Sequence, residues 1–88
     1  MLSGLIEMAF QETGRRSLDQ LALRERAKVQ GVDGSGAMSV RLLEMGFVPG
    51  VEVMLVKRAP LGDPLELRLR GYHVSLRRAE ARLVEVGS

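Results

Sequence analysis

The side chains in this 88-residue chain that could do chemistry are few: there is no Cys and a single His, His73. Thiolate nucleophiles, disulfides and cysteine metal sites are therefore absent, and a histidine-rich metal centre is excluded by count. What remains for a divalent ion is His73 with Glu66 and Glu80, imidazole and carboxylate ligands of ordinary type. No paired ligand spacing surrounds them, so no metal site is expected, and any divalent-metal affinity would be weak. His73 reads as a solvent-facing strand residue beside Val74, and Asp63, Glu66 and Glu80 as separate surface acids. Gly31, Gly34, Gly36, Gly46 and Gly50 make no phosphate loop, because no Lys followed by Ser or Thr comes after them. They read as turn residues. No catalytic set emerges and no cofactor is called for, so the chain is expected not to be an enzyme.

Two stretches carry more than a strand connector needs. Arg41 to Gly50 packs Arg41, Leu42, Glu44 and Met45 of a short helix, the cap position Gly46, the aromatic Phe47 and a Pro49-Gly50 turn into ten residues. It is either a plug for one end of a barrel or a surface for a partner. Ala59 to Pro64 places Leu61 between Pro60 and Pro64, with Gly62 and Asp63 beside it. An apolar residue on a stiffened loop suits docking, because little freedom remains to be lost on binding. The alternative is a plain connector with Leu61 folded back.

The elements that must hold these stretches are short. Leu2, Leu5, Ile6 and Ala9 have helical spacing, so residues 1-16 read as an N-terminal extension with a short helix, and 17-88 as the domain. Ser17 to Leu23 reads as a connector anchored by Leu18 and Leu21. Arg26 to Val32 alternates and then slips at Gly31, as a bulged strand does. A helix is expected over Met38 to Met45, opened by a cap from Ser35 or Ser39 and closed by Gly46. Pro49-Gly50 has the order of a type II turn. Strands follow at Val51 to Lys57, Leu65 to Arg70, Tyr72 to Leu76 and Arg82 to Val86, with a helical turn at Arg77 to Ala81. Five short strands at close spacing, with one short helix between the first two, predict an all-β protein built as a small closed barrel. Its inward set is Ala27, Val29, Val53, Leu55, Leu67, Leu69, Val74, Leu76, Leu83 and Val84 or Val86.

The net charge is +2, with basic and acidic residues interleaved as in Arg24-Glu25-Arg26. Mixed signs read as a solvated surface, whereas nucleic-acid binding calls for a stripe of one sign and aromatic residues to stack on bases. Phe10, Phe47 and Tyr72 are too few for that. No apolar run reaches the roughly 18–20 residues that span a bilayer. The first ten residues lack a basic leader, so a cytoplasmic location is expected.

The segments Arg41 to Gly50, the apolar strand Val51 to Val56 and the loop Ala59 to Pro64 resemble, in this order, the FeoA family of ferrous iron transport proteins. So do Gly71-Tyr72, Leu76-Arg77 and Glu80-Ala81. The likeness runs from about Ser17 to Val86. It implies an SH3-like barrel that works with FeoB, a membrane permease for ferrous iron with a cytosolic GTP-binding domain. The contact residues expected from the two stretches above are Arg41, Leu42, Glu44, Met45, Phe47, Pro60, Leu61 and Asp63, with Gly46, Gly50 and Gly62 as turn and cap glycines, and the resemblance names FeoB as what they contact. The protein would then sit in the cytoplasm, at the inner membrane only through its partner. A transition-metal-binding or metal-sensing barrel and a nucleic-acid-binding barrel are the competing readings. An exposed barrel edge would also let the chain pair with a copy of itself.

Overall fold

The computed structural model describes residues 16–87. In chain order they form β1 (Arg16–Ser17), a 3₁₀ turn (Leu18–Gln20), β2 (Arg26–Val32), α1 (Ala37–Glu44), β3 (Glu52–Arg58) and β4 (Leu65–Leu69). β5 (Tyr72–Leu76), α2 (Arg78–Ala81) and β6 (Val84–Gly87) follow. The short helix expected within residues 1–16 lies outside the described residues, apart from Arg16, which opens β1. All six strands join one antiparallel sheet in the order β1-β6-β2-β3-β4-β5. The five expected strands are β2 to β6. β1 adds a sixth in what read as a connector, because a two-residue strand is too short to show alternation.

The sheet forms because its strands alternate. In β4, Leu65, Leu67 and Leu69 are buried, while Glu66 is half-buried and Arg68 exposed. β2 and β3 bury Ala27, Val29, Val53 and Leu55 on the same side, and β6 buries both Val84 and Val86. Two members of the expected inward set are only half-buried: Val74 because β5 is the edge of the sheet, and Leu83 because it precedes β6. The core is completed from outside the strands by Leu18, Leu21, Leu42, Phe47 and Ala81. The β2–β6 register shifts between Val29 and Gly31, where the alternation slips. A second shift, between Leu55 and Lys57 against β4, had no counterpart in the sequence pattern.

Turns fix the connections. Val51 N–H bonds the Val48 carbonyl at 3.2 Å across Pro49-Gly50, and Gly50 has φ +93°, which a type II turn requires of its third residue. α1 is not opened by a serine cap: Gly36 holds that position, and Ser39 Oγ instead donates to the Asp33 carbonyl at 2.6 Å. That bond satisfies the one buried polar side chain among the described residues.

The connector before β2 is held by two arginines. Arg58 donates to the Asp19 and Leu21 carbonyls at 2.7 and 2.8 Å. Arg16 grips the Glu25 carboxylate at 2.7 and 2.9 Å, and Glu25 also accepts from Ala22 N–H at 2.8 Å. The Arg16 bond first, and the Ala22 bond second, lower the Glu25 carboxyl from its ordinary 4.5 to about 2. A carboxyl depressed on folding adds stability in full above pH 4.5, and that part is lost as pH falls from 4.5 towards 2. The thermal midpoints of the parent and Glu25→Gln should therefore differ at neutral pH and converge through this window. Parallel curves down to pH 2 would show that Glu25 is not held in this way.

Candidate functional site

The Ala59–Pro64 loop is built to present its tip. Gly62 N–H bonds the Ala59 carbonyl at 2.7 Å, closing a turn with Pro60 and Leu61 at its centre, and Ala59 N–H bonds the Pro64 carbonyl at 3.1 Å. Pro60 limits the first central position, which suits such a turn. Asp63 faces the other way: its Oδ1 accepts from Arg78 N–H at 3.1 Å, tying the loop to the start of α2. Leu61 is left 92 % exposed at the tip, so it is not folded back.

α1 lies beside β5. Tyr72 Oη donates to the Met45 carbonyl at 2.6 Å just past the helix end. Next to it Gly46 has φ +111°, and a Cβ there would stand 2.6 Å from Tyr72 Oη, so glycine is needed both for the turn and for the close approach. At the other end of the helix Met38 and Arg41 face Ala79 and Glu80 of α2 across a groove of about 600 Å³, with Pro64 and Ser75 in its lining. Arg41 Nη1 stands 3.8 Å from Glu80 Oε2, a loose pair at the rim. Glu80 Oε1 also accepts from Arg77 N–H at 2.9 Å and so caps α2.

The structure separates the residues singled out from the sequence. Leu61, Pro60, Arg41 and Glu44 are exposed, Met45 is half-buried, and Asp63 is exposed but engaged with Arg78. Leu42 and Phe47 are corrections: both are fully buried in the core and offer nothing to a partner. Leu42 follows Ser39 by three positions on the inward side of α1, and Phe47 turns inward after Gly46. The helix instead exposes Met38, Val40 and Leu43 at 44, 49 and 41 %. The signal for them was present: α1 has more apolar residues than one buried face of eight residues can take. Gly46, Gly50 and Gly62 all have positive φ. The three weak metal candidates do not converge. His73 is exposed on β5 opposite Arg68, Glu66 faces Ser75 and Lys57, and Glu80 serves α2. No cluster of three His, Asp or Glu side chains able to hold a metal occurs among the described residues.

The family model of the FeoA domain matches residues 16–87, that is, the whole of the sheet with both helices. The chain belongs to the FeoA family. It is associated thereby with ferrous iron transport. A fusion of Fe(2+) transport protein A with the Fe(2+) transporter FeoB from Porphyromonas gingivalis is 44 % identical over 69 residues. That match takes in 78 % of this chain but only 8 % of the fusion protein's length. A FeoA-like protein from Clostridium acetobutylicum superposes with a TM-score of 0.77 at 36 % identity, covering 83 % of this chain and 85 % of that one. FeoA from Stenotrophomonas maltophilia, an SH3 domain protein solved with zinc, gives 0.72 at 36 % identity over 81 and 88 %. The fold is thus SH3-like, as the sequence resemblance implied. No helix among the described residues is long and apolar enough to cross a membrane.

Proposed function

We propose that this FeoA-family chain is a non-catalytic accessory module that docks on the cytosolic part of a FeoB-type GTP-binding iron permease. The observation that carries the reading is the Porphyromonas gingivalis fusion, in which one polypeptide joins a FeoA-like segment to the transporter. Fusion holds two modules at high effective concentration, which serves proteins that must meet. The surface that suits docking is the Leu61 turn together with the exposed side of α1, from Met38 and Val40 to Arg41, Leu43 and Glu44. A rigid turn with an apolar tip loses little entropy on binding, and Arg41 and Glu44 supply a rim of both signs. The protein would work in the cytoplasm, held at the membrane through this contact. A pull-down with the permease's cytosolic domain tests the reading: retention supports it, and no retention at micromolar concentrations defeats it.

A second reading, a barrel that binds a transition metal, draws on the zinc complex of the Stenotrophomonas maltophilia relative. The ligands here would be His73, Glu66 and Glu80. Their scatter over β5, β4 and α2 argues for weak, carboxylate-like affinity. Titration calorimetry with ferrous iron or zinc should show no high-affinity site. A one-to-one site of sub-micromolar affinity, lost in His73→Ala, would promote the metal reading over the docking one.

A further inference from the structure

The strand register lines up outward-facing residues that the sequence keeps far apart. Arg26 of β2 stands opposite Met54 of β3, Met54 opposite Arg68 of β4, and Arg68 opposite His73 of β5. Lys28 stands opposite Glu52 in a neighbouring rung, and Lys57 opposite Glu66. Arg70 follows at the β4–β5 turn. All but Lys57 alternate with the buried positions, and the register shift after Leu55 brings Lys57 opposite outward-facing Glu66, so they share the face of the sheet turned away from the core. That face holds five basic residues against two acidic ones, an excess larger than the net +2 of the whole chain. The other charges of the described residues balance, seven basic against seven acidic. Interleaved signs along the chain conceal this, because strand pairing sorts them by face.

Arg26, Arg68 and Arg70 also line one shallow hollow of about 260 Å³, with Glu52 and Met54 beside them. None of the three guanidinium groups has an ion pair or a side-chain hydrogen bond among the described residues, whereas Arg16, Arg41, Arg58 and Arg82 each have a partner. Three planar forks left unpaired around one hollow are suited to phosphate oxygens.

We propose that this outer face of the sheet seats the protein on an anionic lipid surface, with Arg26, Arg68 and Arg70 meeting lipid phosphates. A face of one predominant sign is enough for such a surface, since lipids rearrange around Glu52 and Glu66. An acidic peptide calls for an apolar groove to fix it, and here only the half-buried Met54 is on offer. RNA calls for stacking residues, and the face has no Phe, Tyr or Trp: Phe47 is in the core, and Tyr72 stands on the other side of the sheet with its hydroxyl on the Met45 carbonyl. The choice of lipid rests on the proposed role beside a membrane permease. The contact would orient the module for docking, since the arginine hollow lies at the end of β4 away from the Leu61 turn.

The test is sedimentation of the full chain with vesicles, in the absence of any permease. Binding is expected to equal parts of phosphatidylglycerol and phosphatidylcholine, not to phosphatidylcholine alone, and added salt should release it. At about fivefold per basic residue near the surface, Arg68→Ser should weaken binding about fivefold and the Arg26→Ser, Arg68→Ser, Arg70→Ser triple variant about 100-fold. Arg82→Ser, the same charge change off this face, should alter it less than about twofold. The thermal midpoint of each variant confirms its fold. Equal binding to neutral vesicles, undiminished binding by a folded triple variant, or capture by single-stranded RNA at salt that releases the vesicles would each overturn the proposal. Failure here leaves the docking reading untouched, and a failed pull-down does not alter this result.

Discussion

Leu67→Asp is expected to leave no cooperative unfolding transition. Leu67 is fully buried at the middle of β4, opposite Leu55 on β3 and Val74 on β5. Truncating it forfeits about 1.5–3 kcal/mol of apolar burial. The new carboxyl must then hold a charge among Leu55, Leu65 and Leu69 or take up a proton there, at a further cost of about 2–7 kcal/mol. A domain of this length is stable by roughly 4–13 kcal/mol, so a loss of this size is comparable with the whole. Thermal melting followed by circular dichroism checks this. A cooperative transition at the parent's midpoint would put Leu67 on the outer face and shift β4 by one residue.

Leu61→Asp, the same chemical change, is expected to do the opposite. At 92 % exposure the side chain contributes little to the fold, so stability should stay within about 0.5 kcal/mol of the parent. Docking should suffer instead. An apolar anchor buried at an interface is worth about 1.5–3 kcal/mol, or roughly 10- to 100-fold in affinity, before the cost of desolvating Asp is added. Arg41→Glu should cost less, because Arg41 sits at an exposed rim 3.8 Å from Glu80. Its effect should be larger at low salt than at high salt. If both variants instead melt early, the loop and helix are structural plugs.

What the sequence made legible was local. The period-two runs at Arg26 to Val32 and Leu65 to Leu69 need only their own residues to declare a strand and its buried side. The Pro49-Gly50 turn and the bulge near Gly31 likewise follow from two or three residues. What was hidden depended on which element lies next to which. Leu42 and Phe47 had the composition of a contact surface, yet the inward side of α1 and the turn after Gly46 put them in the core. Asp63 and Glu80 looked like loose acids, but both serve the first turn of α2, one from 15 residues away. Arg26 and Arg68 lie on different strands and face one another across β3 only through the register, which no local pattern announces.

The Leu61 turn and the exposed side of α1 are the proposed docking surface for a permease. Calorimetric titration of the permease's soluble GTP-binding domain with the parent and with Leu61→Asp tests it most directly. Saturable one-to-one binding by the parent and at least a tenfold loss in Leu61→Asp are expected, with the thermal midpoint of the variant unchanged. Binding of equal strength by the two proteins, or none by the parent, would contradict it.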